Sequence, residues 1–418
     1  MHSYGNEFSN KFRTYCGVRQ GAASSALLFI GFIDDIVVYL DQRCSPEPLL
    51  DTLHCLLHAD DTAILSLDRK LFMNKCNHML DYFCENSLSL NLAKSGFLVI
   101  NGSENDRKDL QLKNGILEYK SVLTYLGVKI SDSGDIKQDI ESFIDGKRAN
   151  ITIKFGNFCR RNFLAPLQIK LKVLNTCVSA SLIYGCETWA MNDVKQVEIL
   201  YRQGLKTALS VRNNVNNEIV YTECNELPLK IRITKQQLKF WLTLKHYLQD
   251  KPSHYITKLI NLANQHNSHY ISYYNNLETY VDTTNCGNVL KEEYKRKHNQ
   301  AIHNAFQIDQ HSRLGTYLQV NPSLMSPTYN NTPEFHRVCV TRYRTGSNNL
   351  MIEKGRMFGS AREDRLCKCG MDIQSLRHVL LDCHLLNDIR DKYTIVDVEN
   401  GVMKECFLLE MEAILDIK

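Results

Sequence analysis

The apolar positions of this chain change period several times, and each change marks an element. Between residues 17 and 40 a Gly-x-x-x-Gly turn runs into an apolar stretch in which Leu27, Leu28, Ile30, Ile33 and Val37 recur at helical spacing. That spacing predicts a loop entering one helix. Residues 53–67, LHCLLHADDTAILSL, place two short, partly β-branched runs on either side of a His-Ala-Asp-Asp tip, which is a β-hairpin pattern. Phe72, Cys76, Met79, Leu80 and Phe83 predict a helix within residues 71–91, and LNLAKSGFLVIN reads as a turn into a strand. A strand pair follows at 116–119 and 123–130. This order predicts an α+β domain, with helices packed on one face of an antiparallel sheet.

Beyond residue 135 the strand signal almost vanishes. Long amphipathic helices take over, clearest at 167–189 and 217–248, and residues 250–335, rich in Asn, Tyr, His and Ser, read as exposed helices and loops. No internal repeat is visible. The expected organisation is a first domain over 1–134, a helical region over 135–250, a connector over 251–335 and a last module over 336–418.

Composition adds limits. With 418 residues, 44% of them hydrophobic, the chain can bury a core large enough for two or three domains. The longest apolar run, ALLFIGFI, stops at Asp34 and Asp35, and the N-terminus lacks a signal-peptide layout, so no membrane association is expected. Fifteen cysteines, mostly single within apolar patterns, suit the reduced thiols of an intracellular protein, nuclear or cytoplasmic. A net charge of +4 says little about nucleic acid. Local charge says more: no acid occurs between Asp145 and Glu187, a stretch holding Lys147, Arg148, Lys154, Arg160, Arg161, Lys170 and Lys172. A second one-signed stretch holds Lys230, Arg232, Lys235, Lys239 and Lys245. Both patterns fit either a solvated helix face or a phosphate-binding face.

The chemistry concentrates at Asp60 and Asp61. Two adjacent carboxylates at a tight hairpin tip offer hard oxygen ligands from a rigid edge, as magnesium requires, and two such ions about 4 Å apart can activate a 3′-hydroxyl and stabilise a leaving pyrophosphate. Turn chemistry alone also accounts for an Asp-Asp pair. Asp34 and Asp35 form an internal control: they fall in a helix-period run, where adjacent side chains diverge by about 100°, so they read as helix surface or cap.

GVRQGAASSALLF, HADDTAILS, LNLAKSGFLVI and TYLGVKIS, in this order, resemble four successive motifs of the reverse transcriptases of LINE-type (non-LTR) retrotransposons. The resemblance implies a partial polymerase palm followed by a helical thumb, a helical connector and a small Cys/His module. It implies Asp60 as a shared ligand of two Mg²⁺ ions, Asp61 as the accessory carboxylate and Lys94 near the triphosphate. Gly17, Arg19, Gln20 and Gly21 would form the loop beneath template and incoming dNTP, His58 would face the primer end in place of the usual tyrosine, and Tyr125, Leu126 and Gly127 would position that end. The implied partners are an RNA template and a DNA primer or target. The family's first catalytic aspartate lies on a strand upstream of the Gly-x-x-Gln-Gly loop, so the two-metal site is expected to be incomplete here and turnover by the isolated chain very low. A decayed or mis-started reading frame, or a second chain supplying the remainder, would account for that.

The acid-free segment falls where polymerases place a thumb, which assigns duplex backbone contacts to Lys147, Arg148, Arg160 and Arg161. Tyr184, Gly185, Glu187 and Trp189 resemble the end of a family helix and read as packing and capping residues. Near the C-terminus, RLCKCGMDIQSLRHVLLDC holds Cys367, Cys369, His378 and Cys383, a complete tetrahedral zinc set, though its Cys-x-Cys bite is narrower than the common Cys-x-x-Cys. A small cysteine-containing helical core fits the same residues. LINE-type proteins carry a similar Cys-Cys-His-Cys knuckle, which implies zinc and RNA contacts for Arg342, Arg344 and Lys354. The rival expectations are a non-enzymatic RNA- or DNA-binding remnant and an unfolded product.

Overall fold

The computed structural model of the chain describes residues 3–4, 7–8, 17–19, 21–48, 50–134, 144–191, 194–279, 286–309, 312–326 and 333–392. They fall into two compact units, Met1–Phe143 and Ile144–Lys418. The first is α+β. Its strands pair as four two-stranded antiparallel ribbons rather than one sheet: β1 (Ser3–Tyr4) with β2 (Glu7–Phe8), β3 (Cys55–His58) with β4 (Asp61–Ile64), β5 (Leu110–Leu112) with β6 (Gly115–Leu117), and β7 (Val122–Tyr125) with β8 (Val128–Ser131).

The expected single helix over 17–40 is two helices, α1 (Ser25–Phe32) and α2 (Ile36–Asp41). The break falls at Asp34 and Asp35, short polar side chains that compete with helical bonding. Asp35 stands at the N-cap position of α2 and accepts a hydrogen bond from the Tyr82 hydroxyl. The helix α3 (Arg69–Glu85) starts at Asp68, whose carboxylate caps the Lys70 and Leu71 N–H groups at 2.8 and 3.0 Å. Two faces of α3 organise the unit. Met79 and Tyr82 pack with Ile36, Leu40, Cys44 and Cys55 against α2 and the β3–β4 hairpin, while Cys76 and Leu80 pack with Phe97, Leu110, Leu112 and Leu117 against β5–β6.

Two strand expectations are corrected. Residues 96–101 form no strand: Phe97 makes one isolated bridge to Tyr119, because Gly96, Asn101 and Gly102 interrupt a run too short to continue. Residues 123–130 are a hairpin rather than a strand, since Leu126 (φ 48°) and Gly127 (φ 79°) turn the chain between β7 and β8. Two successive positive φ values make a type I′ turn, whose twist matches the flanking strands and favours glycine at its second position.

The second unit is helical. The predicted helix over 167–189 is helical through 167–182, then breaks at the left-handed Gly185 before a last turn, Cys186–Trp189. Trp189 is buried there and donates to Tyr184 O at 2.9 Å. The predicted helix over 217–248 is also two, Asn217–Cys224 and Leu229–Asp250, separated by a left-handed Asn225 and by Pro228, which disfavours helix before it. The elements expected over 250–335 include helices Tyr255–Gln265, His269–Thr279, Cys286–Ile308 and Arg313–Val320.

Ion pairs tie this unit internally. Lys170, from the acid-free stretch, is buried: it donates to Glu334 and to Phe163 O at 2.8 Å each. Arg337, 2% exposed, makes a two-point contact with the same carboxylate at 2.7 and 3.1 Å. Glu334 thus neutralises two buried cations. Glu334→Ala strands both, and should cost about 3–5 kcal/mol of unfolding free energy. Urea denaturation of the full chain measures it, and a loss below about 1 kcal/mol would count against this role.

Candidate active site and metal centre

The β3–β4 hairpin is built to hold its tip still. His58 pairs with Asp61, which leaves Ala59 and Asp60 as a two-residue loop. Ala59 has φ 52°, a left-handed conformation costly for a residue with a Cβ and sustained here by the ladder on either side. The base of the ribbon is fastened from beneath. Buried Lys75 pairs with buried Glu47 and donates to Leu65 O at 2.8 Å, while Glu47 accepts from Leu67 N at 2.6 Å. Burial works hardest against the Glu47 carboxylate, yet the Leu67 N–H and the Lys75 ammonium together hold it below its ordinary range. Cys55, Leu57 and Ile64 face the core, whereas His58, Asp60 and Asp61 are exposed. The result is two adjacent carboxylates on a stiff, wet edge.

The β7–β8 hairpin carries Tyr125 at its own tip, paired with Val128. The Tyr125 hydroxyl is pushed up by burial and then by the negative charge of Asp61 and of Cys55, so the tyrosine before the Leu126–Gly127 turn lies in the field of the second aspartate. The other sequence-predicted residues are more dispersed. Gly17 and Gly21 are exposed, both left-handed, with no atom within 4 Å of a notional Cβ, so backbone conformation rather than crowding requires glycine there. Arg19 lies between them, its carbonyl accepting from Ser25 Oγ at 2.6 Å. Gln20 lies outside the described residues. Lys94 is exposed in a turn closed by Asn91, and among the described contacts none joins its side chain to Asp60 or Asp61.

Residues 2–130 match the reverse transcriptase (RNA-dependent DNA polymerase) family. The match spans both hairpin tips, α3 and the Gly17–Gly21 turn. No curated protein matches the chain. The matched segment, under a third of the chain, contains the Asp60–Asp61 edge and Tyr125, and the match supports RNA-directed DNA polymerase activity in general.

The Cys/His module lies beyond the matched segment. Ligand atoms of Cys367, Cys369, His378 and Cys383 all lie within 4.8 Å of one another. Cys367 Sγ and Cys383 Sγ are 3.8 Å apart, and Cys369 Sγ is 3.2 Å from His378 Nε2. Two thiolates on one tetrahedral zinc, each at about 2.3 Å, would stand about 3.8 Å apart. The narrow Cys-x-Cys bite works because the segment is a tight turn: Gly370 N donates to Cys367 O at 2.9 Å, with Gly370 left-handed at φ 76°, which curls Cys369 back toward Cys367. Backbone N–H groups reach the sulfurs, from Cys369 to Cys367, from Met371 and Asp372 to Cys369, and from Leu385 to Cys383. Burial pushes the Cys367 thiol up to about 12 and raises Cys383. At Cys369 burial is the largest single influence, but those N–H groups and the neighbouring thiols outweigh it and bring the thiol down. The His378 Nδ1 is buried, with the Asp372 carboxylate 3.9 Å away. Three sulfurs and one imidazole, converging and wrapped in N–H donors, fit zinc.

The sequence-predicted cations divide. Arg160 and Arg161 are exposed, and Arg160 bonds Asn157 along its own helix. Arg148 is exposed and 3.6 Å from Asp145, and Lys147 is half-buried. Arg342 is exposed and donates Nε to Ser210 O at 3.0 Å. Arg344 is a correction. It is 2% exposed, held by Glu223 at 2.9 Å, and is out of reach of a nucleic-acid backbone because the buried carboxylate demands it. From the second basic stretch, Arg232 pairs with Glu226 and Lys245 with Glu278, while exposed Lys235 and Lys239 line a groove of about 570 Å³ with Gln236, Phe240 and Thr243. Sequence reading noted those two lysines without assigning them; their four-residue spacing on one helix face is the signal that would have done so.

Proposed function

We propose that the chain is part of a LINE-type reverse transcriptase that transfers nucleotides to a primer 3′-hydroxyl while copying RNA. The observation that carries this reading is the pair of exposed carboxylates on a braced hairpin, Asp60 in its two-residue tip and Asp61 at the strand residue that follows, within the segment that matches the reverse transcriptase family. Asp60 and Asp61 would hold magnesium; when bound, it activates the 3′-hydroxyl and stabilises the leaving pyrophosphate. Tyr125, with Leu126 and Gly127, would position the primer end beside that edge, and His58 would face it. Lys94 would neutralise the triphosphate, and Gly17, Arg19, Gln20 and Gly21 would underlie the template. Residues 1–134 would serve as palm, 135–250 as thumb and 251–335 as connector, with a zinc knuckle in 336–418 held by Cys367, Cys369, His378 and Cys383. Lys147, Arg148, Arg160, Arg161 and Arg342 would contact phosphates.

A second reading, nucleic-acid binding without chemistry, is favoured by the binding features outside the family match: the Cys/His quartet and the Lys235–Lys239 groove. Primer extension separates the two. Extension of a DNA primer on an RNA template, abolished by chelating magnesium, supports the polymerase. Binding that weakens steeply with salt, with no extension at any magnesium concentration, supports the second reading.

A further inference from the structure

A pocket of about 460 Å³ in the helical unit belongs to none of these sites. Its walls come from three separated stretches of chain. Phe163 follows one helix; Arg212 follows the C-terminus of helix Lys195–Leu209; Phe335 and Arg342 stand on helix Glu334–Arg344, and Ser347 and Asn349 lie just beyond it. Phe335 and Arg342, seven residues apart, share one face of their helix. Phe335 is 51% exposed, an aromatic ring left in water at the mouth of a cavity. Of the charged side chains that line the pocket, both are arginines and none is a carboxylate. The arginines are braced: Arg342 Nε donates to Ser210 O at 3.0 Å, Arg212 N donates to Ser347 Oγ at 2.9 Å, and the Arg212 guanidinium donates to Asn349 Oδ1.

Two oriented guanidiniums select an anion, and exposed phenyl rings select a flat, apolar surface. One ligand class carries both: a nucleobase with its phosphate. The volume fits one such unit and excludes a duplex, whose bases are stacked out of reach. We propose that this pocket holds one nucleotide of a single-stranded nucleic acid, its base against Phe335 and its phosphate with Arg212 and Arg342. The proposal rests on the nucleic-acid reading above and adds a strand preference to it. A base on an aromatic side chain, beside a positive groove, is how proteins grip single strands with little regard to sequence.

The test uses the full chain, fluorescence anisotropy and three probes: a labelled 12-nucleotide RNA, the same RNA annealed to its complement, and AMP as competitor. Phe335→Ala is expected to weaken single-strand binding about tenfold and duplex binding less than twofold. Arg342→Ala should weaken it comparably and reduce the salt slope by about one. Both positions are exposed, and circular dichroism melting checks that the variants stay folded. Equal losses on single strand and duplex, or no loss on either, would overturn the pocket assignment while leaving nucleic-acid binding intact. AMP competing as tightly as the oligonucleotide would overturn the single-strand occupant in favour of a free nucleotide. A wild-type chain that binds neither RNA would overturn this proposal together with the reading it rests on.

Discussion

Where a second chain completes the two-metal site, Asp60→Asn is expected to cut magnesium-dependent primer extension by about a thousandfold or more, with the fold unchanged. Asparagine suits a hairpin loop as well as aspartate does, so Ala59 and the His58–Asp61 pair keep their geometry. What is removed is one negative charge from an edge whose neighbours supply few others. Metal-centred charge stabilisation is worth several kcal/mol in phosphoryl transfer, and about 4 kcal/mol corresponds to a thousandfold in rate. Asp34→Asn provides the control, since that exposed residue belongs to the break between two helices and not to the hairpin. It should leave extension within about twofold. Manganese binding followed by electron paramagnetic resonance gives a readout independent of turnover: Asp60→Asn should bind more weakly and Asp34→Asn should not. If Asp60→Asn extended primers at the parental rate, the hairpin tip would be ordinary turn chemistry.

The sequence was most legible where local chemistry alone decides structure. The hairpin around Asp60 and Asp61 was visible because β-branched runs flank a polar tip, and α3 because its apolar positions repeat and Asp68 caps it. It was least legible where a single turn redirects the chain. Leu126 and Gly127 convert an apparent eight-residue strand into a hairpin, and Gly185 and Asn225 each cut a continuous amphipathic pattern, because a left-handed residue leaves no trace in hydrophobic periodicity. Charge was legible as clusters but not as contacts. Lys170 and Arg344 looked like surface cations until Glu334 and Glu223, far away in sequence, appeared beside them inside the core. The pocket with Phe335 and Arg342 had no linear signature, since its walls come from three stretches separated in sequence, around Phe163, Arg212 and Phe335.

Removing zinc should unfold the C-terminal module of the second unit and leave the first unit, Met1–Phe143, standing. Cys367 and Cys383 are fully inside a cluster with Tyr343, Leu350, Ile352, Leu376, Val379 and Leu380, so the sulfurs sit at the centre of that core rather than beside it. Without metal, two buried thiols and the buried His378, with its Nδ1 left without a hydrogen bond, occupy the place where a packed core needs apolar atoms. Structural zinc contributes about 10–16 kcal/mol in small Cys/His modules, which equals or exceeds the whole stability of many domains. The purified chain is therefore expected to carry one zinc per molecule. Chelation, or Cys383→Ser, should open residues 334–392 to protease while residues 55–130 remain protected. Cys84→Ser, at an exposed thiol on α3, should change neither metal content nor cleavage. The alternative for these residues, a cysteine-containing helical core that needs no metal, predicts a different gel. A chain refolded in chelator with an unchanged cleavage pattern would establish that alternative, because close packing by Leu350, Val379 and Leu386 would then suffice without the metal.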